Sequence, residues 1–236
     1  MRKIHIIGIA FAAIFAFSMV AASSASAFAL WDQCTKTAPV LEFTESNCVT
    51  KGTPAAWGWE EIKAKLATKS LLTVLTMSSN GITIDCSGFT DGFVGPGSED
   101  EVTELLHDEA NGTEGPAITP TNPVLCEILA GGLFCGSGTA DAYPVNLPWK
   151  TELVAAGDLL GPHAGGGNPG WHVKCPSTLT NECTKADTIL KVENLETELE
   201  VDLTFPPEKV TCTLGEGEVL GTTSIFLVNG NALRAM

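Results

Sequence analysis

Thr197-Glu198-Leu199-Glu200-Val201-Asp202-Leu203-Thr204-Phe205 is the stretch that decides the fold class. Its apolar side chains alternate with acidic or hydroxyl ones, so in an extended chain Leu199, Val201, Leu203 and Phe205 share one face while the other face stays wet. Pro206-Pro207 follow at once, and because proline cannot donate to a ladder they are expected to end the strand.

The same period recurs on either side. Ile82, Ile84 and Cys86 share one face, as do Val210, Cys212 and Leu214. Runs at Leu71 to Met77, Thr151 to Ala155, Thr188 to Val192 and Thr223 to Val228 stop at Asn80-Gly81, Ala156-Gly157, Asn194 and Asn229-Gly230, which is turn chemistry. Trp57 to Lys69, with Ile62 and Leu66, and Glu99 to Glu109, with Val102, Leu105 and Leu106, carry spacings that also fit short helices. The expectation is a mainly β protein, an antiparallel sandwich or irregular barrel with at most one or two short helices, stapled by disulfides.

The staples are the eight cysteines Cys34, Cys48, Cys86, Cys126, Cys135, Cys175, Cys183 and Cys212. They lack the C-x-x-C pairs and interleaved histidines of a zinc site. Proximity in sequence favours Cys126–Cys135, Cys175–Cys183 and Cys34–Cys48 as local bridges, which leaves Cys86 for Cys212. Five cysteines precede the glycine-rich segment 161–170 and three follow it, so full pairing requires at least one bridge across it. Residues 28–236 are therefore expected to form a single exported domain, with 161–170 as the one candidate subdomain break.

Export is read from the N-terminus. Arg2 and Lys3 lead into an apolar run from Ile6 to Val20, and Ala25-Ser26-Ala27 has the small-x-small pattern of a cleavage site, making 1–27 a signal peptide. The run falls short of the roughly 17 to 25 residues of a membrane span, so no membrane association is expected after cleavage. The whole chain carries 28 acidic and 13 basic residues, a formal charge of −15, and the leader removes two of the bases and no acid. Such a surface repels nucleic acid and anionic lipid, which excludes both as partners. The expected location is secreted, extracellular or at the cell envelope, where an envelope component or a glycan is the partner that remains.

Four motifs carry a resemblance: Cys86-Ser87-Gly88; Asp91-Gly92 with Val94-Gly95-Pro96-Gly97; Asn146-Leu147-Pro148-Trp149-Lys150-Thr151; and Gly167-Asn168-Pro169-Gly170-Trp171-His172-Val173-Lys174-Cys175. In this order they resemble a group of secreted, disulfide-containing proteins of actinobacterial type that has no assigned activity. The resemblance spans Cys86 to Cys212; it implies secretion and a largely β fold, and no chemistry.

The residues themselves offer little catalytic machinery. No serine is flanked in the G-x-S-x-G manner of a nucleophile elbow, and His107, His163 and His172 share no ligand spacing. Glu99, Asp100 and Glu101 form a weak candidate for Ca²⁺, which takes hard oxygen ligands, but the ordered acid pattern of an EF-hand is missing and no cofactor is expected. Trp149 and Trp171, with His172 and Tyr143 as polar neighbours, are the candidate ligand-binding residues, because an exposed indole stacks on a sugar face. Two functions follow: a non-enzymatic exported protein of structural or adhesive type, or a secreted carbohydrate-binding or carbohydrate-active module. Exposed tryptophans over a cleft with facing carboxylates favour the second, buried ones the first.

Overall fold

The computed structural model describes residues 29–236 except 72, 98–99, 111, 132–134, 156, 164–166 and 196–199. The signal peptide assigned to 1–27 and the candidate ligand Glu99 lie outside the described residues. Seventeen strands follow in chain order: β1 (Trp31–Thr35), β2 (Gly58–Glu61), β3 (Leu66–Ser70), β4 (Thr73–Ser79), β5 (Ile82–Val94), β6 (Asp100–Glu109), β7 (Thr113–Ala117), β8 (Val124–Ala130) and β9 (Thr139–Val145), then β10 (Trp149–Ala155), β11 (Asp158–His163), β12 (Gly170–Lys174), β13 (Thr180–Thr184), β14 (Ile189–Asn194), β15 (Glu200–Cys212), β16 (Gly215–Leu227) and β17 (Leu233–Ala235). Among the described residues no helix is long and apolar enough to cross a membrane.

All pairings are antiparallel, and they close two circuits. One runs β4–β5–β8–β9–β12–β13–β15–β16 and back to β4. The other runs β3–β5–β6–β10–β11–β14–β15–β16 and back to β3. The molecule is thus a pair of irregular barrels that share β5, β15 and β16, each 13 residues long. Closed circuits leave few free edges, and barrels of about this strand number have interiors just wide enough for side chains to fill.

Each shared strand changes neighbours near its midpoint. Ile82–Gly88 of β5 lies against β4, and Leu66–Lys69 of β3 takes over at Asp91–Val94. On β16 the change falls between Thr222 and Ile225, and on β15 between Thr204, paired with β14, and Thr211, paired with β13. Bulges sit at these places. In the β5–β6 pair Asp91 faces Glu104 while Gly92 faces Val102, which leaves Thr103 as the extra residue. A Cβ on Gly92 would stand 2.2 Å from the Glu101 carbonyl oxygen, so only glycine permits this approach.

The core divides accordingly. One apolar cluster, including Leu75, Met77, Ile84, Val124, Ala140 and Val173, fills the first barrel. A second, including Val94, Leu153, Leu159, Leu190, Val201 and Leu227, fills the other. A three-stranded sheet in the order β17–β1–β2 packs Trp31, Leu233 and Ala235 onto the second cluster. A satellite cluster of Phe43, Ala232 and the Cys34–Cys48 bridge lies beyond it, packed by Trp57 and Trp59.

Several expectations are corrected. The strand begun at Glu200 does not stop at Pro206-Pro207; it continues to Cys212 through a bulge in which Phe205 faces Gly221 and Glu208 faces Val219. Neither β13 nor β14 pairs with the chain between Phe205 and Val210, so the missing proline N–H groups cost no ladder bond on that side. The candidate helices are strands β2 and β3, and β6. Their apolar spacings have other causes: Ile62 and Leu66 flank the bend between β2 and β3 and both pack on the second cluster, and the bulge at Thr103 brings Val102 and Leu105 to one side.

Cys34–Cys48 forms as expected, but the other bridges are Cys86–Cys126, Cys135–Cys175 and Cys183–Cys212, and no free cysteine remains. The local pairs Cys126–Cys135 and Cys175–Cys183 and the long-range Cys86–Cys212 do not form, because Cys126 lies on β8 beside Cys86 on β5, and Cys212 lies on β15 beside Cys183 on β13. Cys183 and Cys212 are direct register partners. The bridge demanded across 161–170 is Cys135–Cys175.

Non-reducing peptide mapping will recover these four bridges. Loop-closure entropy gives Cys86–Cys126 and Cys135–Cys175, each 40 residues apart, a larger share than Cys34–Cys48 at 14. Removing either of the former as a Ser/Ser pair is expected to cost about 4 kcal/mol, against about 3 kcal/mol for the latter, in chemical denaturation.

Candidate functional site

Tyr143, Trp171 and His172 come from the paired strands β9 and β12 and Trp149 from β10, and the four divide between the interior and the outer face. β12 pairs with β9, setting His172 opposite Tyr143 and Trp171 opposite Pro144. Successive residues of a strand point to opposite faces, so the Trp171 and His172 side chains part company. The Trp171 ring meets Trp149 edge to face with centroids 6.1 Å apart, and both indoles line the interior. Trp149 is only 8% exposed and its Nε1 donates to the Val145 carbonyl at 2.8 Å. On the outer face Tyr143 and His172 stack at 4.8 Å, and His172 Nδ1 stands 3.5 Å from Glu182 Oε2 on β13. The structure therefore brings together two pairs, and no exposed tryptophan strip.

The acidic candidates are split in the same way. Asp100 opens β6 opposite Thr151 of β10 and is 1% exposed. Its Oδ2 accepts from Trp31 Nε1 at 2.6 Å and its Oδ1 from the Gly95 N–H at 2.8 Å. Glu101, the next residue, turns outward to Lys65 at 2.8 Å and to Lys150. The hydrogen bonds from Lys150 and then Lys65 hold the Glu101 carboxyl below its ordinary range. Among the described residues no three or more His, Cys, Asp or Glu side chains are grouped so as to hold a metal ion.

Asp100 behaves in the opposite sense. Removal from water pushes its carboxyl up to about 7; the bonds from Trp31 and Gly95 and the charge of Lys65 work against that rise, and Glu152 adds to it. Sequence reading grouped Asp100 with Glu99 and Glu101 as a weak Ca²⁺ candidate and did not single out Trp31. The one signal available was parity, since Asp100 and Val102 share a face in an extended chain.

Asp100 and three tryptophans, Trp31, Trp149 and Trp171, border one partly open cavity of about 150 Å³ where the two barrels meet. Leu75 and Met77 reach it from the first apolar cluster, and Leu203 and Ile225 from the second. Thr73 Oγ1 donates to Thr223 Oγ1 at 2.8 Å on the same wall.

No family model, curated protein or solved structure matches the chain. The site has to be read from its own side chains.

Asp100 makes stability pH-dependent in a definite direction. Its native pKa of about 7 lies above the unfolded value near 3.9. Its contribution is therefore fully favourable below about pH 4 and is lost as pH rises through 7, a cost of about 4 kcal/mol when complete. Wild type is expected to lose more stability between pH 5 and pH 8 than Asp100→Asn, whose side chain does not titrate. Denaturant melts of both proteins across that range check the difference in slope.

Proposed function

We propose that this chain is an exported, non-enzymatic protein of structural or adhesive type, working outside the cell or at the cell envelope as one β unit of residues 28–236. The observation that carries the reading is how the candidate chemistry is disposed within a disulfide-stapled all-β body. Trp149 is buried against Val145 and Trp171, Asp100 is held by two N–H donors, and Glu101 is ion-paired with two lysines. Four disulfides are typical of oxidising extracellular compartments.

The acidic composition supports the same reading, since a strongly negative surface resists non-specific binding to nucleic acid and anionic lipid. Signal-peptide cleavage after Ala27 delivers the chain to the compartment in which its bridges persist. The carbohydrate reading loses the feature it needed most, because the two indoles turn inward. Its remaining support is the outer Tyr143–His172 pair, whose ring faces are occupied by each other.

Two measurements test the proposal. N-terminal sequencing of exported material is expected to read Phe28-Ala29-Leu30-Trp31, and a retained Met1 in a membrane fraction would overturn export. Purified protein is expected to retain cell-surface or matrix adhesion with Tyr143→Ala and His172→Ala combined, and to give no signal on a glycan array. Glycan binding abolished by those substitutions would replace the structural reading with the carbohydrate one.

A further inference from the structure

We propose that the cavity between the two barrels is a binding site for a small, neutral, largely apolar molecule about the size of a single six-membered ring. This goes beyond the structural or adhesive role and does not depend on it.

Size is the first argument. The cavity measures about 150 Å³, and an engineered cavity of that volume with apolar walls stays dry and takes up benzene or xenon. A larger, drug-sized ligand needs roughly 300 Å³ or more. The second argument is the wall. Leu75, Met77, Val102, Leu203, Val219 and Ile225 border the space together with the indoles of Trp31, Trp149 and Trp171, and flat aromatic walls favour a flat guest.

The third argument is that most of the charged side chains named on the wall are already engaged by protein partners. Both oxygens of Asp100 accept N–H bonds, and Thr73 is bonded to Thr223. Glu101 has Lys65 and Lys150, and Lys185 has Glu208; Asp91 Oδ1 has Lys69 Nζ at 3.4 Å for its charge but accepts no hydrogen bond. A buried water wants two to four polar partners, and an ion needs an opposite charge to offset its desolvation. A neutral apolar guest needs neither, and it restores the dispersion contacts that the wall atoms lack across a void.

The cavity also has a reason to exist. It lies where β5, β15 and β16 exchange neighbours, and the bulges at Thr103 and Pro206-Pro207 bend the wall there. Two of the inward strand positions nearby are Gly92 and Gly221, and Cβ atoms on them would stand 2.2 Å and 2.4 Å from neighbouring carbonyl oxygens. The sequence cannot fill the space from those positions without breaking the strand contacts.

Toluene is the probe. With the wild-type protein it is expected to raise the melting temperature saturably and to change tryptophan fluorescence over the same concentration range. Val219→Phe, and separately Ile225→Phe, place a ring into the space and are expected to weaken toluene at least tenfold, while Leu125→Phe on the exposed outer face of β8 leaves it unchanged. Xenon-129 shifts in the wild-type protein, saturating and displaced by toluene, provide a readout that needs no variant to fold. Absence of saturable toluene and xenon effects in wild type overturns the proposal, as does equal toluene affinity in folded Val219→Phe and wild type. Benzylamine, a cation at pH 7, binding more tightly than toluene would overturn its neutral character.

Discussion

Three long strands set the terms for everything else in this molecule. A strand pairs on both sides, and β5, β15 and β16 run far enough to serve one barrel with their first half and the other with their second. Neither barrel can close without all three. The exchange of neighbours then has to happen within a few residues, and backbone that changes partners needs bulges, glycines and a place where prolines are harmless. Gly92 and Pro206-Pro207 occupy those places. The two apolar clusters are the inner faces of the two circuits, so the division of the core follows from the pairing.

The two barrels are secured by different means. Cys86–Cys126, Cys135–Cys175 and Cys183–Cys212 all lie in or beside the first cluster, whereas no bridge joins strands of the second circuit alone. The second barrel relies on the β17–β1–β2 sheet, whose Trp31 is 2% exposed and donates to Asp100 at the mouth of β6. That bond joins the sheet to the barrel wall across 69 residues of chain. An indole N–H buried without an acceptor would cost about 1 to 3 kcal/mol, which explains an acid at this position despite its desolvation. Protonation removes the charge and leaves the bond geometry in place, so the carboxyl is best tolerated below neutral pH.

Most of the fold class was legible, for identifiable reasons. Alternation at Val201, Leu203 and Phe205 reports one buried face, and Asn80-Gly81, both with positive φ of 51° and 78°, makes the tight β4–β5 hairpin that such a pair favours. The odd split of cysteines around 161–170 correctly required a crossing bridge. The partners themselves were not legible, because sequence proximity carries no information about which strands lie side by side in a barrel closed by distant segments. The helical spacings at Ile62–Leu66 and Val102–Leu105 misled because a bend between two strands, in the first case, and a bulge within one, in the second, bring to one side what a turn brings together on a helix. Trp149 and Trp171 could be picked out as large aromatics near loops, but whether an indole faces in or out depends on register, a single-residue matter that only the pairing fixes.

The same parity logic separates what this protein can show its surroundings from what it keeps inside. In β12, Trp171 goes to the interior and His172 to the outer face; at the start of β6, Asp100 goes in and Glu101 out to two lysines. The exterior carries ion pairs such as Glu101 with Lys65 and Lys150, an excess of acidic over basic side chains, and a self-stacked Tyr143–His172. The unusual side chains, three indoles and a carboxyl poised near neutrality, converge instead on the seam between the barrels. Side chains added at Gly92 or Gly221 would collide with neighbouring carbonyl oxygens, so the seam cannot be closed from those positions. That the space persists where glycines and bulges already hold the strands apart makes the interior, not the surface, the place where selection for a ligand would leave its mark.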